Sequence, residues 1–297
     1  MDRALASQNH HNRIGFDFTL RTKRTTWIRK RSYARPNDNG TPHRVEARLE
    51  KVAYALWRPE GAPLSDWADR LLNAGRREFT ALGLERLKLN VPDVAPPADD
   101  LYAAMRQDAP EAMVSGFLNS ALLRGPLEQA LNAVAGRIAG YSVVESTILP
   151  AAGAADGTRS PGFAQVCFFA RRPDLTHQQL LDIWLGSHTQ VAVETQSTFY
   201  YNQNIVLRPL TPGAPAWDCI VEESFPAEAL ADSLVYFDAK GSPERLQANL
   251  ARMNDSCGRF IDFSGIKMLR SGEYRFGGWS DPAAGWREAR PMTGSAA

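Results

Sequence analysis

Apolar positions along the chain fall into short clusters whose internal spacing changes from one segment to the next. Gln165–Ala170 ("QVCFFA") is short and nearly continuously apolar, which predicts a buried strand. Beyond it, Leu180, Leu181, Ile183 and Trp184 recur at helical spacing, and Thr176 with Gln179 predicts a capping box at that helix's start. Gly186 and Ser187 weaken the helix just before His188. The stretch Phe199–Leu207 alternates, with Phe199, Tyr201, Gln203 and Ile205 on one face and Tyr200, Asn202, Asn204 and Val206 on the other. Trp217–Phe225, bounded by Pro215 and Pro226, predicts a third strand, and Phe260–Met268 a fourth. Between these two lie helical patterns in "AEALADSLVYF" and "PERLQANLARM", the second opening on Pro. The order is β-α-β-β-α-β with its second helix split, the ferredoxin-like split-βαβ plan.

The pattern occurs twice. At an offset of 114 residues, "KVAYALWRP" (Lys51–Pro59) meets "QVCFFARRP" (Gln165–Pro173), and "LKLNV" (Leu87–Val91) meets "YNQNI" (Tyr201–Ile205). Near the end of each half, "GRIAGYS" (Gly136–Ser142) meets "GRFIDFS" (Gly258–Ser264). Three matches in the same order argue for duplication. The expected organisation is a first unit at 45–150, a small, flexible linker at Pro150–Gly162, a second unit at 162–276 and a tail at 277–297. A split-βαβ sheet has helices on one face only, so each unit needs a cover for the other face. The second unit in the same chain can supply it. The expected fold class is therefore α+β: two ferredoxin-like units pairing their sheets into one intrachain α+β barrel.

Composition narrows the classes. With 44% hydrophobic and 23% charged residues among 297, the chain has the balance of a globular protein, and no apolar run reaches the roughly 20 residues of a transmembrane helix. Three separated Cys offer neither a disulfide framework nor a zinc pair, which fits a reducing compartment, most simply the cytoplasm. The net charge of +1 hides an asymmetry: residues 1–44 hold ten basic and three acidic side chains, the remainder 24 and 30. The basic leader lacks periodicity and reads as disordered. It fits a nucleic-acid or membrane-surface arm, a transit peptide, or a stretch upstream of the functional protein. The acidic remainder, without a basic-aromatic stripe, argues against a nucleic-acid partner.

The residues of the second half, "FARRPDLTHQQLLDIWLGSH", "YYNQNIV", "WDCIVEESF" and "FIDF", resemble the EthD domain family. The matching positions are Trp184, His188, Tyr201, Gln203, Asn204, Asp218, Glu222, Phe260 and Asp262, and the first half resembles the family only in outline. The resemblance implies a dimeric α+β barrel in which two sheets face each other around a cavity, with a homodimer as an open further assembly. It also implies a superfamily of lyases, cyclases and cofactor-independent monooxygenases.

On this reading His188, one turn after Trp184, is the general acid/base. At the offset of 114 its counterpart is Ala74, so the fold does not need a His there. Tyr201 and Gln203 are expected to hold a substrate oxygen inside the barrel, Trp184 to form an apolar wall, and Asn204 to contact ligand or pin a nearby loop. Asp218 and Glu222, four apart on one strand face, form a carboxylate pair in which Glu222 takes a catalytic part by orienting or tuning His188 and Asp218 contacts substrate, whereas the first half carries Ser115 at the Glu222 position. No metal-ligand spacing, phosphate loop, dinucleotide fingerprint or nucleophile elbow occurs, so neither metal nor cofactor is expected. The expected function is lyase-type proton transfer on a small hydrophobic carbonyl, phenolic or polyketide-like compound. The alternatives are a non-catalytic small-molecule binder or accessory protein, and a cofactor-independent monooxygenase.

Overall fold

The computed structural model of the chain describes residues 49–97, 100–150, 154, 156–277 and 279. The basic leader and nearly all of the tail lie outside the described residues. Eight strands form one closed antiparallel barrel: β1 (Glu50–Trp57), β2 (Glu85–Val91), β3 (Ala112–Leu118), β4 (Arg137–Leu149), β5 (Phe163–Phe169), β6 (Tyr200–Pro209), β7 (Cys219–Phe225) and β8 (Lys267–Phe276). Helices α1 (Leu64–Ala74), α2 (Ala103–Arg106) and α3 (Gly125–Val134) belong to the first half. Helices α4 (His177–Leu181), α5 (Thr189–Thr195), α6 (Ser233–Tyr236) and α7 (Pro243–Gly258) belong to the second.

Around the barrel the order is β1-β3-β2-β8-β5-β7-β6-β4. Each half contributes the ferredoxin-like order 4-1-3-2, and each half's last strand pairs with the other half's second strand: β4 with β6 and β8 with β2. The α+β barrel expected from sequence is thus closed within one chain. Because side chains alternate across a strand, every strand sends one set inward and one set outward to the helices. One end of the barrel interior is apolar, with Ala53, Met113, Tyr141, Phe168, Trp217 and Leu269 in one cluster. Two further clusters lie between the sheet and the helices, one per half.

The ladders fix which positions of the two halves correspond. Ala53 pairs with Ser115 and Tyr141, and Val166 pairs with Glu222 and Leu269, so Ser115 answers Glu222. Lys88 pairs with Ser115 and Asn202 with Glu222, so the offset of 114 holds for β2 and β6. For β1 and β5 it is one residue out: interior Ala53 answers interior Val166, an offset of 113. A one-residue slip changes the face of every side chain. The third sequence match fails for a different reason. Gly136–Ser142 opens β4, whereas Gly258–Ser264 ends α7 and enters a turn in which Asp262 accepts from the Ser264 backbone and hydroxyl.

The fourth strand of the second half accordingly lies at Lys267–Phe276 rather than Phe260–Met268. Phe260 and Ile261 instead pack into the cluster beneath the helices. The linker is also tied down where it is described: the Gly157 and Ser160 amides donate to the Arg275 and Glu273 carbonyls of β8, both at 2.7 Å. At Gly162, where φ is +72°, an added Cβ would sit 1.9 Å from the Phe225 carbonyl oxygen, so the chain can enter β5 there only as glycine.

Candidate functional site

The second half's helix begins as its sequence predicts. Thr176 accepts from the Gln179 amide at 3.2 Å, and the Gln179 side chain accepts from the Thr176 amide at 2.8 Å. After α4 the ladder widens into a π-helical turn, Asp182–His188, containing the weak helix formers Gly186 and Ser187. Ser187 and Thr189 hydroxyls donate to the Ile183 and Trp184 carbonyls, at 3.1 and 2.9 Å. The turn buries Trp184 and His188 toward the sheet. The first half also has such a turn, Gly75–Phe79, closing on the buried Phe79. The turn is therefore shared, Phe79 rather than Ala74 is the residue at its end, and only the second half ends it on an imidazole.

Between this helix, α7 and the outer face of β5–β7–β6 lies a largely apolar cavity of about 120 Å³. An apolar cavity of about 150 Å³ admits benzene, and this one is of the same order though somewhat smaller. Trp184, Phe169, Phe260, Met253 and Met268 supply apolar walls, and His188, Tyr201, Glu223, Gln165 and Tyr236 supply the polar lining.

His188 is 7% exposed and its Nδ1 lies 2.9 Å from the Ser256 hydroxyl of α7, which itself accepts from Arg259 at 3.0 Å. With that guanidinium donating to Ser256, the serine hydroxyl is placed to donate to Nδ1, which leaves Nε2 as the protonated, donating nitrogen. Among the described residues Nε2 has no hydrogen-bond partner. Burial, then the Arg259 cation, lowers the imidazole pKa to about 4, so the ring is neutral at ordinary pH.

Glu223 behaves in the opposite sense. It is buried on the outer face of β7, and burial pushes its pKa up to about 7, against a partial lowering by the Gln165 side chain, which donates to it at 3.3 Å. Gln165 also donates to the Tyr236 hydroxyl at 2.9 Å. Tyr201 stays a protonated phenol, because burial and then the Glu223 charge raise its pKa above the usual range. Gln203 donates to the Tyr201 hydroxyl at 3.0 Å and to Thr189 at 2.9 Å, which fixes the phenol's position.

The structure thus brings together Trp184, His188, Tyr201 and Gln203. It places them outside the barrel, between sheet and helices, not inside it. Glu222 and Asn204 go elsewhere. Both face the barrel interior, on the opposite side of the sheet from His188, so Glu222 does not orient that ring. There Glu222 accepts from Asn204 at 3.0 Å and Asn202 at 3.2 Å, and it pairs with Lys51 at 3.3 Å and with Lys88. Burial alone would raise its pKa; the two ammonium groups outweigh burial and hold it well below the carboxylate range. Glu145 is bound by Lys51, and Arg275 pairs with Glu273 at 2.7 Å, so the polar end of the interior is an ion network. Asp218 precedes β7 and is not paired with Glu222; it accepts from the Arg171 backbone at 2.9 Å and pairs with its guanidinium.

Glu223 is the residue that sequence reasoning passed over. Its parity marks it: it shares a face with Cys219, Val221 and Phe225, and a lone carboxylate on an apolar face is the anomaly to look for. Among the described residues no cluster of His, Cys, Asp and Glu is arranged to hold a metal ion, and no helix is long and apolar enough to cross a membrane.

No protein-family model matches the sequence, and no curated protein matches it. Solved structures with a similar backbone include an anthrone oxidase-like protein, 9% identical, covering 80% of this chain and 97% of that one with a TM-score of 0.49. A candidate monooxygenase from Lactobacillus acidophilus NCFM is 9% identical over 76% of this chain and 93% of its own, TM-score 0.40. Another from Fusobacterium nucleatum is 12% identical over 78% and 94%, TM-score 0.42.

Proposed function

We propose that the chain is an EthD-like, internally duplicated α+β barrel whose second-half cavity binds one small aromatic or similarly apolar molecule and performs cofactor-free, lyase-type proton transfer on it. The observation that carries this is the pairing, in one apolar cavity, of a carboxyl raised to about 7 with an imidazole lowered to about 4. Environments that push two titratable groups apart assign them different roles. Glu223, with its pKa near the working pH, takes a proton from the substrate and returns it. Neutral His188, held by Ser256, donates through Nε2 to the oxygen on which charge develops, and the Tyr201 phenol, fixed by Gln203, provides a second donor. Trp184 and Phe260 form the wall against which a ring packs.

The test is turnover of small aromatic carbonyl and phenolic compounds, followed by loss of carboxylate, loss of water and uptake of oxygen. Glu223→Gln and His188→Ala are each expected to lower kcat by about 100-fold or more, with the circular dichroism spectrum unchanged. Undiminished turnover in Glu223→Gln removes the proposal. Tight binding without turnover by the wild type identifies a binding module instead, and oxygen uptake a monooxygenase.

A further inference from the structure

On the outer face of β8, two residues from cavity-lining Met268, stands Arg270. The ladder position that answers it in the first half is Ser142, so the barrel is built there without an arginine. The Arg270 side chain is 3% exposed, and among the described residues its Nε has no acceptor. A single carboxylate, Asp100, serves two guanidinium groups. Its Oδ1 lies 3.1 Å from Arg270, and its Oδ2 is taken by Arg106. Arg270 also donates to the Leu230 carbonyl at 3.4 Å, so what this buried guanidinium keeps unmet is the Nε donor, and an unsatisfied buried donor is costly. Arg270 lines a second pocket of about 180 Å³. Tyr102 and Tyr236 line both this pocket and the apolar cavity, and Arg270 lies over their rings at 5.4 and 5.9 Å. The other carboxylate lining the pocket, Asp232, is exposed to solvent and accepts from the Leu234 amide at 2.8 Å.

We propose that this pocket is an oxyanion subsite in which Arg270 receives a carboxylate or phosphate, the guanidinium fork supplying the donors that such groups match. Where the oxyanion is carried by the molecule whose ring fills the cavity, the substrate class is a small aromatic acid with a short spacer. That second statement rests on the proposed function; the subsite itself does not.

Full-length protein is titrated with three probes at fixed ionic strength: 3-phenylpropanoate, the neutral 3-phenylpropan-1-ol, and inorganic phosphate. Arg270→Gln is expected to weaken 3-phenylpropanoate by about 10- to 100-fold and leave the alcohol within twofold. Arg270→Lys, which keeps the charge and loses the fork, falls between. Phosphate raises the melting temperature of the wild type and not of Arg270→Gln. If neither aromatic compound binds the wild type while the phosphate shift depends on Arg270, the cavity reading fails and the subsite stands. A phosphate shift that is absent from the wild type, or equal in Arg270→Gln, overturns the subsite. Equal loss of acid and alcohol in both variants overturns it as well.

Discussion

On the outer face of the first half-sheet, Val52, Tyr54, Leu87, Leu89, Val114 and Gly116 meet the helices. The same ladder positions in the second half hold Gln165, Cys167, Tyr201, Gln203, Val221 and Glu223. In the first half a tyrosine ring occupies the space between sheet and helices. Tyr54 is fully buried, its hydroxyl donates to Glu128 at 3.0 Å, and Gly140 opposite leaves room for its ring, where an added Cβ would lie 2.3 Å away. In the second half Cys167 and Met268 stand at those positions, and a cavity remains. The topology is common to both, so it requires none of the polar groups. Each buried polar group short of partners costs about 1–3 kcal/mol, and a whole domain is stable by only about 5–15 kcal/mol. Gln165, Tyr201, Gln203 and Glu223 share one face where their opposite numbers are all apolar. The hydrogen bonds they make offset that cost without being needed by the topology, which fits the role proposed for this face.

The barrel interior is where the halves depend on each other, and breaking it is expected to give the largest effect on stability. Lys88 comes from the first half and binds Glu222 of the second, Glu273 at 3.9 Å and the Tyr200 hydroxyl at 3.1 Å. Lys88→Met leaves buried carboxylates short of a cation and is expected to cost about 3–5 kcal/mol. Chemical denaturation should show one transition lowered as a whole. Two separate transitions would mean that the halves fold independently. Lys88→Met with Glu222→Leu is expected to recover most of the loss.

A smaller effect separates the outer faces by pH. Glu223 binds its proton more tightly folded than unfolded, so its contribution is full below about pH 4.5 and is lost as pH rises toward 7. Glu223→Gln is therefore expected to be more stable than wild type by up to about 3 kcal/mol at pH 8 and close to it at pH 4.5, measured as urea midpoints. His188 runs the other way. Its neutral form is favoured by the fold, so stability falls as pH drops from about 6.5 toward 4, and His188→Ala removes that slope. The least effect is expected from Gly140→Ala, which presses on the Tyr54 ring and costs about 1–3 kcal/mol in melting experiments. Its second-half counterpart, Met268→Ala, opens the cavity and is expected to admit larger rings; unchanged ligand size preference there would mean the cavity is not the binding site.

Much of this was legible in the sequence where local chemistry and periodicity agree. The capping box at Thr176, the alternation of Phe199–Leu207 and the shared faces of Trp184 with His188 and of Tyr201 with Gln203 required only spacing, whereas joining the two pairs rested on the resemblance to the EthD domain. What was not legible depended on which side of each strand faces the helices. Choosing Glu222 over Glu223 is a one-residue choice of face, and only the ladder to Asn202 and Val166 settles it. β8 was missed because "KMLRSGEYRF" is too charged to read as a core strand. Its interior face carries Glu273 and Arg275 into the ion network, and its outer face carries Arg270. Polar residues buried in pairs look, in one dimension, like surface.

Closing the barrel through β2–β8 and β4–β6 also sets a clock. Strand β2 ends at Val91 and its partner β8 at Phe276, so the first half-sheet cannot close until some 185 further residues have been made. At ribosomal rates of about 5–20 residues per second, that half waits roughly ten to forty seconds with its inner surface open. The part of that surface holding Lys51, Lys88, Asn90 and Glu145 is wettable while it waits and becomes dry only when Glu222 and Glu273 arrive. A nascent chain built this way postpones desolvating its charges to the last strand, and meanwhile offers chaperones and neighbouring chains less to stick to.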